Sequence, residues 1–264
     1  MTDIIMDFIK NSFGNFNDTI QEIAKMISAS PDSHTGMWHV VNSIYNIILP
    51  VGMSLAVLYF VIDFLNKSVM LEYMRWENVV KSLFRLVVAK IILQNVFKLM
   101  TLILGVASNI IMTIGSNAPT ISKIDFSVIQ QQVDKMGFLD KIMYYISILP
   151  MGLIMDIIKW GVMLIVFGRM FEIFIYTALA PIPLAGFTGE ATTSTAKNFL
   201  QDYAGVCLQG VVIIVACMLY GGLMKDVTFS TNSSGIKDLI LYSLVLLLVL
   251  VKSGSWAKKL TGGM

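Results

Sequence analysis

The chain has 264 residues, of which 56% are hydrophobic and only 14% are charged. A soluble domain is on average about 45–50% apolar and about 25% charged, so this chain has too little charge to cover a water-exposed surface. The composition excludes an ordinary soluble enzyme and a disordered chain, and the net charge of +2 does not indicate a nucleic-acid-binding face. A protein embedded in lipid remains.

The N-terminal segment, residues 1–39, carries a helical pattern of apolar side chains. They recur at spacings of three and four, as in a helix that packs against another helix. These residues are Met6, Ile9, Phe13, Phe16, Ile20, Ile23 and Ile27. We expect an amphipathic arm outside the membrane. Its seam is typical of self-association or partner docking, and also of a helix lying on the membrane or on its own protein.

Five apolar stretches are long enough to cross a bilayer, which requires roughly 20 helical residues. They are residues 40–62, 84–115, 153–180, 203–224 and 238–256. We expect 84–115 to be one long helix, and we expect Pro150 to break the apolar region that precedes the third span. The predicted fold is an all-α integral membrane protein. Its transmembrane domain covers 40–256, and a tail follows at 257–264.

An odd number of spans places the two ends of the chain on opposite sides of the membrane, and basic residues favour the cytoplasmic side. With the N-terminus outside, the outer segments hold seven Lys and Arg. The inner segments hold seven, and Arg85 and Lys90 at an inner helix end raise that count to nine. We therefore expect the N-terminus outside and the C-terminal tail in the cytoplasm.

Basic residues interrupt the second apolar stretch. Arg85, Lys90 and Lys98 spread around the helix rather than sharing one face. One interpretation is that they reach the inner lipid headgroups. The other is a positive ring at the pore mouth of an oligomer, which would suit a polyanionic substrate.

The third span carries two pairs of opposite charges at a spacing of three residues. Asp156 and Lys159 form the first pair, and Arg169 and Glu172 form the second. Ionisable residues in spans are costly and indicate a functional role by default. The pairs indicate either a polar stripe along a pore or subunit interface, or two structural ion pairs on one helical face.

The third span must end at Pro181 and Pro183, because two prolines this close cannot both lie in a regular helix. We expect Gly186, Gly189 and the following threonines to form an inner-side loop, with a new helix starting near Thr195–Lys197. Such a proline-broken hairpin is either a docking or gating element or a simple helix terminator.

Small residues form a stripe along the fourth span. They are Cys207, Gly210, Cys217 and Gly221. Small residues at these spacings let helices approach closely in lipid, so we interpret the stripe as a packing surface rather than a redox or metal site.

Catalytic motifs are missing from the sequence. The two histidines, His34 and His39, precede the first span, and there is no HExxH, GxSxG or nucleotide-binding P-loop. We therefore predict that the chain is not an enzyme and uses no metal or other cofactor.

The region around the hairpin resembles a known family. Arg169, the stretch ALAPIPLAGF at 178–187 and the stretch NFLQDYAGVCLQGVVIIVACMLYGG at 198–222 are similar to the TrbL family. Its members are polytopic membrane-channel subunits of conjugative type IV secretion systems, and this chain resembles the short form found in Gram-positive mobile elements. Five spans with an outer N-terminus also resemble that family.

The resemblance implies a ring-like homo-oligomer in the inner membrane of a bacterium. It implies cooperation with the cytoplasmic ATPases of the system, which the loop from Pro181 to Lys197 would face. It also implies transfer of single-stranded DNA with its relaxase, or of proteins, and outer contacts with a cell-wall hydrolase or stalk subunit.

Two other functions remain open at this point. One is a stand-alone secondary transporter or ion channel with Asp156 and Lys159 as its coupling site. The other is a non-conducting membrane anchor for a secretion ATPase.

Overall fold

The computed structural model describes residues 2–14, 18–19, 22–23, 26–27, 35–69, 76–116, 127–225 and 234–262, and its regular elements in these ranges are all helical. The α-helices are α1 (Thr2–Ile9), α2 (Thr35–Val69), α3 (Trp76–Gln94), α4 (Val96–Ser116), α5 (Ser127–Asp134), α6 (Phe138–Leu179), α7 (Pro181–Leu184), α8 (Thr193–Lys225) and α9 (Ser234–Thr261). A π-helical turn (Lys10–Gly14) follows α1, and a 3₁₀ turn (Ala185–Thr188) follows α7.

Five of these helices are long and apolar enough to cross a membrane. Their spanning segments are Gly36–Val69, Val96–Ile114, Phe138–Leu179, Thr193–Leu223 and Ile240–Thr261. The prediction of an all-α protein with five spans and a proline-broken hairpin before the fourth is confirmed.

The stretch predicted as one helix over 84–115 is divided at Asn95, between α3 and α4. The Asn95 side-chain amide donates to the Ile91 carbonyl oxygen (2.9 Å), while the Asn95 backbone N–H reaches only to the Ile92 carbonyl oxygen (3.0 Å). The side chain thus takes the acceptor that a regular helix gives to its backbone. Consequently α3 is a separate helix that precedes the spanning helix α4.

The break expected at Pro150 does not occur, since α6 runs unbroken through this residue. A single proline removes one backbone donor, and membrane helices tolerate that loss. The helix α2 likewise contains Pro50. Two closely spaced prolines have a larger effect, and α6 does end at Leu179, with Ala180 between it and Pro181.

The chain divides into two compact units. The first comprises Met1–Ser28, Ile110–Gly168 and Gly210–Gly254, as far as these ranges are described. Its core joins side chains of α1, α6, α8 and α9, including Met155, Cys217 and Leu250.

The N-terminal seam contributes to the core of this first unit. Ile9, Ile23 and Ile27 are all buried there. The side chain of Phe13, as well as Phe16 and Ile20, lies outside the described residues. Of the interpretations open for the seam, the described positions match a helix that packs on its own protein.

The second unit comprises Ala29–Asn109, Arg169–Gln209 and Ser255–Met264, again as far as described. Its core is built from α2, α3, α4, the end of α6, the proline hairpin and the start of α8. Tyr203 is the largest fully buried side chain there, surrounded by a cluster that includes Met100, Leu184 and Cys207. This unit holds most of the candidate site.

Candidate functional site at the proline hairpin

The proline hairpin, residues 180–192, connects α6 to α8. Pro181 and Pro183 have no backbone N–H, so the helical hydrogen bonds that they would have donated are lost. Threonine hydroxyls close the turn that follows. Thr188 donates to the Ala185 carbonyl oxygen (2.8 Å), and Thr192 donates to that of Gly186 (2.8 Å). The polar run after the prolines therefore ties the hairpin together.

The hairpin is packed against α2 rather than projecting as a free loop. Pro181, Gly186 and Gly189 are buried, and Pro183 is half-buried. Gly52 of α2 approaches so closely that a Cβ atom placed on it would lie 2.6 Å from the Pro181 carbonyl oxygen. Within the hairpin only Glu190 and Ala191, which form its crest, are exposed. If this region docks a partner, the accessible surface is therefore the crest and the first turn of α8.

Four charged residues fasten the crest of the hairpin to α2 and α3, and we call them the crest cluster: Asp63, Lys67, Arg85 and Glu190. The Lys67 Nζ atom lies 2.7 Å from a Glu190 carboxylate oxygen and 3.1 Å from an Asp63 carboxylate oxygen. The Glu190 backbone N–H donates to the other Asp63 oxygen (3.2 Å), and Arg85 Nη1 lies 3.6 Å from Glu190.

Electrostatics within the crest cluster favour the ionised form of Glu190. The hydrogen bond from Lys67 and the charge of that ammonium lower the pKa of the Glu190 carboxyl, and Arg85 adds to the effect. The side chains of Asp63 and Lys67 are largely buried, whereas that of Glu190 is 64% exposed. The crest thus presents one anchored carboxylate at the surface.

Two basic residues that the sequence assigned to different features, the inner helix end and the hairpin loop, lie beside one pocket. Arg85 and Lys197 both line a pocket of 580 Å³ between α3, the hairpin and α8. Lys90 and Lys98 are exposed and do not line it.

The second unit also contains a buried polar network. Arg169 is only 4% exposed and donates to the carbonyl oxygens of Val206 (3.1 Å) and Cys207 (3.0 Å). The Tyr203 hydroxyl donates to the Met100 carbonyl oxygen (3.1 Å) and lies 3.2 Å from the Thr177 hydroxyl. These hydrogen bonds join α6, α8 and α4. They pair polar groups that would find no hydrogen-bond partner among lipid tails.

The ion pairs expected on the third span are not formed. Among the described residues, the salt bridges include neither Asp156 with Lys159 nor Arg169 with Glu172. Arg169 uses backbone carbonyl oxygens instead, and Glu172 is half-buried. The structural ion-pair interpretation therefore does not describe this conformation.

Asp156 lies on the outer surface of the first unit. Its side chain is exposed, and exposed apolar residues surround it on α6, namely Leu153 (67%), Ile157 (69%) and Trp160 (72%). Lys159 is half-buried nearby on the same helix. A carboxylate on an apolar helix surface needs a partner or water outside the single chain.

The small-residue stripe faces inward along α8. Cys207, Gly210, Cys217 and Gly221 are all buried, and both cysteines are free thiols. No group of three or more His, Cys, Asp and Glu side chains that could hold a metal occurs in the described part of the chain.

The sequence reasoning missed Asp63, Lys67 and Glu190. A signal for the first two was present, since an acidic and a basic residue four positions apart at a helix end form a favourable pair. Glu190 joins them through a contact that spans 123 residues of sequence, and no local pattern carries that information.

The helices and the site define a multi-pass membrane protein with a buried polar network and a charged hairpin between its third and fourth spans. A family model described as TrbL/VirB6 plasmid conjugal transfer like protein matches residues 16–181. The chain belongs to this family and is a component of a conjugal transfer, or type IV secretion, system. The predicted family is confirmed.

The family match covers α2 to α6 and ends at Pro181, so the stretch 198–222 lies outside it. The family comprises structural components of transfer systems and is not a known enzyme family. No curated protein and no solved structure matches the chain.

Proposed function

We propose that the protein is a homo-oligomeric channel or scaffold subunit of a conjugative type IV secretion system. It lies in the cytoplasmic membrane of a bacterium, with its N-terminus outside and its C-terminus in the cytoplasm. In this role it helps to move single-stranded DNA with its attached relaxase, or proteins, across that membrane. The exposed carboxylate of Asp156 is the observation that carries the proposal.

Asp156 favours an assembly because lipid is a poor environment for it. An acidic residue at the centre of a membrane helix costs about 2.5–3.5 kcal/mol on insertion scales, and such residues normally face a protein interior or a water-filled cavity. Asp156 makes no salt bridge with any described residue. A second copy of the chain, or a water-filled path that several copies enclose, removes this cost.

Lys159 supplies the complementary charge for such an assembly. It lies one helical turn from Asp156 on α6, so a neighbouring copy can present its lysine to this carboxylate. Contacts of this head-to-tail kind close into a ring when the rotation between subunits allows it. The Asp156 surface is then a subunit interface or lines the central path.

The hairpin provides the contact with cytoplasmic partners in this proposal. Its exposed residues are Glu190 and Ala191 at the crest, with Ser194 and Thr195 in the first turn of α8. Together they form a small, mostly polar surface that the crest cluster holds in place. The ATPases of the system bind there, whereas a cell-wall hydrolase or stalk subunit binds on the outer side.

Oligomerisation is tested by native mass spectrometry of the full-length protein in mild detergent, followed by particle imaging. We expect a large symmetric assembly. Asp156→Ala should disrupt it because Lys159 is then left uncompensated, and replacement of both residues by Leu should be milder. Asp140→Ala, which removes an exposed carboxylate from the first turn of the same helix, is the matched control.

Two results would contradict the proposal, and a third would decide whether Asp156 lies at a subunit interface or along the central path. A stable monomer that conducts ions in liposomes would favour the stand-alone transporter or channel. An assembly without a central opening that still binds the ATPase would favour the anchor. Equal damage from the single and double changes would show that the two charges act individually, as in a pore.

Orientation is tested with single cysteines and an impermeant thiol reagent applied to intact cells. We expect Asn232→Cys to be labelled from outside and Ser194→Cys to be protected until the membrane is opened. The opposite pattern would overturn the orientation.

A further inference from the structure

An open pocket of 580 Å³ lies between α3, the proline hairpin and α8. Its lining combines charged and apolar side chains: Val80, Lys81, Phe84, Arg85, Val88, Ile92, Phe187, Thr193 and Lys197. The three charged residues are all basic. A smaller, polar pocket of 280 Å³ adjoins it, shares Lys81 and Arg85, and adds Lys67, Asn78, Ser82 and Glu190.

The two ends of the larger pocket differ in chemistry. Lys81, Arg85 and Lys197 form a cationic end, close to the start of α8, and the apolar Val80 and Phe84 lie at the same level of α3. Val88 and Ile92 continue the lining along α3, and Ile92 lies seven residues beyond Arg85, or roughly 10 Å along the helix axis. This direction leads toward α4, which is a spanning helix. The pocket therefore runs from a cationic end to an apolar wall.

The cationic end has unused capacity to bind an anion. The salt bridges of the described residues leave Lys81 and Lys197 without a carboxylate partner. The Arg85 Nη1 atom is buried and has no hydrogen-bond partner, since its contact with Glu190 is 3.6 Å long. Two ammonium groups without a carboxylate partner, beside a guanidinium whose ion pair with Glu190 is long, match the oxygens of a phosphate group.

We propose that this pocket binds one anionic phospholipid. Its phosphate lies against Lys81, Arg85 and Lys197, and an acyl chain lies along Phe84, Val88 and Ile92. On the orientation proposed above, the hairpin side of the protein faces the cytoplasm, where basic pockets bind acidic headgroups, and amphipathic pockets favour ligands that are charged at one end only. The bound lipid fills the space between α3 and the hairpin and supports the crest cluster from the membrane side.

The apolar wall distinguishes a lipid from the other anions that the cations attract. Inorganic phosphate or a soluble headgroup uses the cationic end alone and leaves Phe84, Val88 and Ile92 facing water. Single-stranded nucleic acid binds along grooves where aromatic rings stack between several phosphate contacts. Here the cations lie at one end of a short pocket, which fits a single phosphate with a hydrocarbon chain.

The experiment uses the full-length protein in mild detergent and native mass spectrometry with added lipid. Dioleoyl phosphatidylglycerol should remain bound as a discrete adduct, whereas dioleoyl phosphatidylcholine should not. Lys81→Gln and Lys197→Gln should each weaken the adduct roughly five-fold, and both together about 25-fold. The matched control is Lys90→Gln, because Lys90 is also exposed on α3 but lines neither pocket.

A second variant separates the lipid from its headgroup. Phe84→Ser should weaken phosphatidylglycerol binding but leave the weak binding of glycerophosphoglycerol and inorganic phosphate unchanged. Lys81, Lys197 and Phe84 are all exposed, so the variants should keep the melting temperature of the lipid-free protein.

Three results would overturn the proposal. The first is equal retention of phosphatidylcholine and phosphatidylglycerol. The second is binding of inorganic phosphate as tight as that of the lipid. The third is displacement of the lipid by a single-stranded oligonucleotide whose own binding depends on the same lysines, which would assign the pocket to nucleic acid.

Discussion

The close approach of Gly52 to the hairpin makes a quantitative prediction. Alanine is usually the better helix former, by about 1 kcal/mol relative to glycine in a helix interior. At position 52 of α2, however, an added Cβ would lie 2.6 Å from the oxygen, 2.8 Å from the carbon and 2.7 Å from the Cβ atom of Pro181. We expect Gly52→Ala to destabilise the packing of the hairpin despite the gain in helix propensity.

The magnitude follows from the overlap and from a matched control. Ordinary Cβ contacts begin at 3.4 Å, so the new methyl group overlaps a backbone carbonyl by about 0.8 Å, and overpacking of this kind costs about 1–3 kcal/mol. Gly105 of α4 has no atom within 4 Å of its ideal Cβ position. Gly105→Ala should therefore only gain helix propensity, without a steric clash. The free energies of unfolding of the two variants should differ by about 1–3 kcal/mol.

The assay is thermal unfolding followed by a fluorogenic maleimide, in a background where Cys217 is replaced by alanine. Cys207, buried in the same unit as Gly52, then reports opening of the core that contains the hairpin. At roughly 2–4 °C per kcal/mol for chains of 150–250 residues, Gly52→Ala should melt roughly 2–12 °C below Gly105→Ala. Equal melting temperatures, or a more stable Gly52→Ala, would refute the proposed contact.

Three further changes test the polar groups of the second unit. Arg169→Met should destabilise the protein by about 1–3 kcal/mol, measured by the same thermal assay, because two α8 carbonyl oxygens lose a charged donor. Tyr203→Phe removes only the hydroxyl and should cost about 0.5–1.5 kcal/mol in that assay. The lowered pKa of Glu190 means that its pairing with Lys67 stabilises the folded state above the ordinary glutamate pKa and is lost as the pH falls through the lowered value. Limited proteolysis at the crest should accordingly increase in acid, and Glu190→Gln should be equally sensitive at neutral and acidic pH.

The spans and the hairpin break were predictable because each depends on local chemistry. An apolar run of about 20 residues has few alternatives to a membrane helix. Pro181 and Pro183 together remove two donors within three residues. The structure has a helix end at this point, as predicted. The family resemblance was carried by the same region of the sequence, and the family match confirms it.

The helix boundaries that the sequence did not reveal depend on the balance of single hydrogen bonds. At Asn95 the side-chain amide replaces a backbone donor and divides an otherwise continuous apolar stretch. At Pro150 one donor is lost without ending the helix. Residue type alone would predict the opposite outcome at both positions, because proline is the stronger helix breaker.

The crest cluster was beyond prediction for a different reason, and it constrains how the hairpin can act. Its members are far apart in the sequence, and only the packing of the hairpin on α2 and α3 brings Glu190 to Lys67 and Arg85. A partner that binds Glu190 must either leave its ion pairs with Lys67 and Arg85 intact or replace them. Competition would free Lys67 and Arg85 and release α3 from the hairpin. Binding at the crest is therefore coupled to the position of α3, and the lipid pocket between α3 and the hairpin would respond to the same event.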